Sequence, residues 1–131
     1  MSVKKKIQQI ETSAQVDLAP KIEIKDQLAD FSTTLEEIKA KNGVIGYILR
    51  THNSATVALK DPGKIIDYAA LSTAMLESAE NLSEAFALGK IYNAVVVGSK
   101  LKVLLLTIGE HTVSVFMEKN VNHASICKEL T

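Results

Sequence analysis

Near the C-terminus, His123 and Cys127 stand four residues apart, a spacing that on a helix lets an imidazole and a thiolate reach one metal ion. Two ligands do not close a structural zinc site and no second pair accompanies them, so no metal is expected. The segment "DPGK", residues 61–64, has a glycine and a lysine but not the spacing of a phosphate-binding loop, which argues against nucleotide binding by this chain. His52 and His111 fall at expected hairpin tips and read as solvated turn residues. Glu77, Glu80 and Glu84 place three carboxylates on one face of a long helix, a pattern that belongs to a solvated surface more often than to acid–base chemistry. Neither a serine nor Cys127 sits in a nucleophile motif. Of fifteen basic residues only Arg50 is an arginine, so an arginine finger would have to be that side chain. Its place at a strand end is equally ordinary for a surface charge. The expectation is a protein that is not an enzyme, with no catalytic residue, cofactor or metal.

The elements that carry these residues follow from the pattern of apolar positions. The chain has 131 residues, 47% hydrophobic and 23% charged, enough for one globular domain. Fifteen acidic residues cancel fifteen basic ones, so no overall field favours nucleic acid. The single cysteine excludes an internal disulfide, the start of the chain lacks the apolar core of a signal peptide, and no apolar run approaches a membrane span. These features point to a cytoplasmic protein without membrane insertion.

Residues 1–25 read as an N-terminal extension of uncertain structure: Val3, Ile7, Ile10 and Ala14 recur at helical spacing, Pro20 interrupts, and "KIEIK" alternates. Residues 26–131 form the domain. In "DQLADFSTTLEEIKAKNG", Leu28, Phe31, Leu35 and Ile38 mark one helix face and Asn42-Gly43 a stop. "VIGYILR" and "ATVALK" flank the turn "THNS" as a hairpin, with Val44 and Ile48 expected on one face of the first strand and Ile45, Tyr47 and Leu49 on the other. A long helix follows, then "IYNAVVVG", "LKVLLLTIG" and "TVSVFME", whose short connections require antiparallel pairing, and a closing helix in "VNHASICKEL". The expected fold is an α+β sandwich of order α-β-β-α-β-β-β-α. A five-stranded antiparallel sheet carries the long helix on one face and the N- and C-terminal helices on the other.

The long helix, "IIDYAALSTAMLESAENLSEAFALG" from residue 65, is richer in alanine and serine than covering a sheet requires. Projected at helical period, Ile65, Tyr68, Leu71, Met75, Leu76, Ala79, Leu82 and Phe86 share one wide arc, with Ser72 and Ser83 inside it. Ala69 and Ala87 border the arc on one side, Ser78 and Ala85 on the other, so another backbone could approach closely. A second copy of the same helix would fit there, although alanine and serine are also ordinary residues on a sheet-packing helix.

The hairpin strand "GVIGYIL", the Ala-rich helix "AALSTAMLESAENLSEAFALGK" running into "IYNAVVVGSKLKVLLLTIGEHTVSVFMEKNVNHASI", and the short closing helix together resemble the roadblock family, named for the dynein light chain roadblock, whose architecture is longin-like. The resemblance spans residues 26–131. It departs at the first hairpin, where the family commonly has an acidic residue and glycine and this chain has His52-Asn53-Ser54. It implies a homodimer in which the strand after the long helix pairs with its own copy and the long helices lie side by side. That seam would involve Ala69, Ser72, Ile91, Tyr92, Asn93, Ala94 and Val95. It also implies binding of a small Ras-like GTPase, which the dimer regulates or positions; a structural scaffold subunit, indifferent to nucleotide, is the alternative. Thr73, Glu77, Glu80 and Glu84 would then form the open partner-binding face. No convergence of polar residues marks a small-ligand pocket.

Overall fold

The computed structural model describes residues 30–131, so the N-terminal extension expected at 1–25 lies outside the described residues. The first helix, α1, runs over residues 30–39. It buries Leu35 and Ile38 and unwinds at Lys41, whose amide bonds to Ile38 O at 3.0 Å. Gly43 then turns with φ 86° into β1, Val44–Arg50. A Cβ there would meet Val121 Cγ2 at 2.6 Å, so the glycine is needed for space as well as conformation.

β1 and β2 (Ala55–Leu59) form the expected hairpin, closed by the Thr51 amide donating to Ser54 O at 2.8 Å. Asp61 caps a short 3-10 turn at Pro62–Lys64 and leads into α2, Ile65–Phe86. The helix stops where Ala87 adopts the left-handed conformation usually given to glycine. β3 (Asn93–Val97), β4 (Leu101–Ile108) and β5 (His111–Glu118) follow as a meander, and α3 (His123–Leu130) closes the chain, capped by the Asn122 side chain. All pairings are antiparallel, in the order β2-β1-β5-β4-β3.

Two apolar clusters flank the sheet. On one face Leu35 and Ile38 of α1 and Ile126 and Leu130 of α3 pack over Leu49, Leu104, Leu106, Val113, Val115 and Met117. Lys41, just beyond α1, pairs with Glu129 of α3 at 3.1 Å. On the other face Met75 and Ala79 of α2 pack over Ile48, Val103, Leu105 and Phe116. The helices are therefore distributed as the sequence pattern implies.

The first strand corrects one expectation. Val44, Tyr47 and Leu49 share the α1/α3 face, while Ile45 and Ile48 share the other, because the β1–β5 register shifts between Val44 and Gly46. This irregularity offsets the alternation by one residue. Gly46 makes it feasible: a Cβ there would lie 2.3 Å from Ala58 O.

Candidate protein-binding surface

α2 buries Ser72, Met75 and Ala79, with Tyr68, Ala69 and Leu76 partly covered. The ring of Tyr68 stands 4.7 Å from that of Phe116. The sheet-facing stripe is thus turned toward Ala69 and Leu76, and the opposite border of the expected arc is left in solvent. Leu71, Ser78, Leu82 and Ala85 are exposed there, Leu82 to 52%, and Phe86, in line with Tyr68 but at the very end of the helix, is exposed to 69%. An apolar and small-residue flank is open along the helix.

β3 adds a second unpartnered feature. It pairs only with β4, so its outer edge is free among the described residues. The bonds from Thr107 N to Tyr92 O at 2.9 Å and from Gly98 N to Leu101 O at 2.8 Å set the phase of the ladder. Ala94 and Val96 therefore turn their backbone groups inward to β4, and Asn93, Val95 and Val97 turn theirs outward. The surroundings are apolar: Leu88, Tyr92, Val96 and Val97 are exposed, Val97 to 62%. A flat apolar edge of this kind is an aggregation hazard unless something covers it.

This architecture is similar to that of the crystal structure of a Roadblock/LC7 domain from Streptomyces avermitilis. The match has a TM-score of 0.59 at 16% identity and covers 76% of this chain and 83% of that one. The fold is the roadblock/LC7 fold. No family model and no curated protein matches the sequence. The likeness at this identity is one of architecture.

Against that frame the residues singled out in the sequence fall into separate groups. Ile91, Tyr92, Asn93, Ala94 and Val95 lie in or just before the edge strand, with Ala94 packed toward α2 and Val95 toward the opposite core. Ser72 and Ala69 lie on α2 instead. Ser72 is 0% exposed, its hydroxyl 2.8 Å from that of Ser114, so it is not free for a second helix, while Ala69 lies half-buried against the sheet cluster. A serine hydroxyl satisfied by a cross-element bond can be buried like a small apolar residue, and helical periodicity alone does not reveal such a partner. Thr73, Glu77, Glu80 and Glu84 are exposed on the other flank of α2, and none of the three glutamates makes an ion pair among the described residues.

Arg50 bridges β1 to α2. Its Nε donates to Ser72 Oγ at 3.4 Å and its Nη2 to Thr73 Oγ1 at 3.1 Å, which holds the guanidinium along the helix. His123 and Cys127 lie on α3, but His123 Nδ1 stands 3.0 Å from Nζ of Lys102, a lysine only 7% exposed. No group of three metal-ligating side chains occurs among the described residues. Asp61 Oδ1 accepts from the Gly63 amide at 3.0 Å, making "DPGK" a helix-initiating turn. Tyr47, which drew no functional reading from the sequence, donates from its hydroxyl to Glu36 across 2.5 Å. Burial first, and then the bond to and charge of Glu36, push its phenol well above the ordinary value of 10. No helix among the described residues is long and apolar enough to cross a membrane.

Proposed function

We propose that the protein is a non-enzymatic, homodimeric roadblock-type module of a reducing, cytoplasmic setting that binds a small Ras-like GTPase and regulates or positions it. The observation that carries the dimer is the pairing of an open apolar strand edge on β3 with an open apolar flank on α2. Antiparallel pairing of β3 with its own copy would satisfy the outward groups of Asn93, Val95 and Val97 and remove the edge. The seam proposed is therefore Ile91, Tyr92, Asn93, Ala94, Val95 and Ala69 together with the exposed Leu71, Leu82 and Phe86; the buried Ser72 leaves it.

The GTPase rests on the family resemblance of the sequence. Two long helices side by side offer a platform whose remaining open flanks carry Thr73, Glu77, Glu80 and Glu84. Contact there would shift the populations of a partner's switch loops without donating a catalytic group. The tethering of Arg50 to Ser72 and Thr73 supports this reading over an arginine finger.

The test is capture of small GTPases, loaded with GTP or GDP, by the wild-type dimer and by a variant with Glu77, Glu80 and Glu84 reversed to lysine. Nucleotide-dependent capture lost in the variant is the expected result. Capture indifferent to nucleotide would make the protein a scaffold subunit instead. Undiminished capture by a folded variant dimer would move the partner to another surface.

A further inference from the structure

A cleft of about 520 Å³ opens beneath the C-terminal half of α2, between that helix, the loop leading to β3 and the ends of β4 and β5. Leu76, Ala79, Ile91 and Leu105 supply its apolar lining. The polar groups around them are unequal in kind. Glu80 and Glu84 contribute unpaired carboxylates, and Ser83, Asn93, Thr107 and Thr112 contribute further oxygens able to accept. The cation in the lining, Lys90, already donates to Gly109 O at 2.9 Å.

The lining thus carries a net negative charge, an excess of acceptors and an apolar surface, which disfavours a phosphate or a carboxylate and suits a cation on an aliphatic stem. We propose that this cleft receives an arginine side chain presented by the partner, with its methylenes against Leu76, Ala79 and Leu105 and its guanidinium between Glu80 and Glu84. A guanidinium has five donors in a fixed fork and is more weakly hydrated than an ammonium, so an acceptor-rich, partly apolar cleft discriminates in its favour. The assignment rests on the reading of α2's acidic flank as a partner surface, but not on that partner being a GTPase.

The experiment is a titration of the isotope-labelled full chain, followed through its backbone amide resonances, with a capped Gly-Arg-Gly peptide and with the peptides carrying lysine or the neutral isostere citrulline. Saturable shifts at Ser83, Glu84, Gly89, Lys90, Thr107 and Thr112 are expected with the arginine peptide, with a Kd on the order of 1–10 mM for so small a ligand. The lysine peptide should bind more weakly and the citrulline peptide about tenfold more weakly or worse. The double variant Glu80→Gln/Glu84→Gln, whose changes are exposed and whose fold the same spectra verify, should lose arginine binding about tenfold. Absence of saturable shifts, equal binding of the citrulline peptide, or undiminished binding by the variant overturns the proposal; equal binding of the lysine peptide overturns the guanidinium assignment. If the double variant captures a GTPase as well as wild type while the lysine reversals at Glu77, Glu80 and Glu84 do not, the acidic platform stands and the arginine cleft falls.

Discussion

The two faces of the sheet are covered to different degrees. On the α1/α3 face, two short helices insert Leu35, Ile38, Ile126 and Leu130, none more than 6% exposed, over a continuous apolar surface. On the α2 face, a 22-residue helix buries only Ser72, Met75 and Ala79 and leaves Leu71, Leu82 and Phe86 in solvent, and the sheet ends in β3, whose outer edge is open among the described residues. More apolar residues lie on α2 than its contact with the sheet uses. One face is closely covered by the described helices, and the other leaves apolar surface exposed.

The largest test of that contrast compares truncations on the two faces. Leu35→Ala should cost about 2–5 kcal/mol of folding stability in denaturant titration, as for a fully buried leucine. Phe86→Ala should change monomer stability by about 0.5 kcal/mol or less, as for a surface position, while weakening self-association. Equal losses from both would erase the distinction. Next is Val95→Pro. Its N–H points away from β4, so proline removes a donor the monomer does not use and remains compatible with an edge strand. The variant should stay folded and sediment as a monomer at roughly 50 μM, where a wild-type dimer of micromolar affinity is mostly assembled.

Smaller effects probe how α2 and α1 are held. Arg50→Ala should cost about 1 kcal/mol through its bonds to Ser72 and Thr73. It should leave stimulation of a cognate GTPase within about tenfold, since an arginine finger would contribute ~10³ or more. A fall to the intrinsic rate with binding intact would restore Arg50 as a catalytic group. The smallest effect belongs to Tyr47. Because its phenol is harder to ionise when folded, its stabilisation is intact below pH 10 and is lost as the pH rises above that value toward the folded one. Tyr47→Phe should flatten this alkaline loss in pH-dependent denaturation and remove one late-ionising tyrosine of the three from the absorbance titration.

The strands were legible because their signals are local. The β1 and β2 segments and the short β3–β4 and β4–β5 links reproduce the apolar runs and turn residues almost to the residue. What a one-dimensional pattern could not supply was the offset in β1, which depends on Gly46 meeting Ala58 on a neighbouring strand. Nor could it orient α2. Leu71 and Phe86 are as apolar as Met75, and only the sheet's position tells which of them it covers. Ser72 shows the converse: a polar residue becomes core through a partner 42 residues away, Ser114. The arginine cleft combines α2, a loop and three strands, so no contiguous motif announces it.

The ion pair between Lys41 and Glu129 ties the end of α1 to α3 on the face away from α2. Antiparallel pairing of two β3 edges is generated by a two-fold axis normal to the sheet, which keeps like faces together. The pair of chains would then be a slab with two unlike sides. Both α3 helices would lie on the side opposite both long helices, so a protein that gripped α3 would display the α2 side outward and leave it unobstructed.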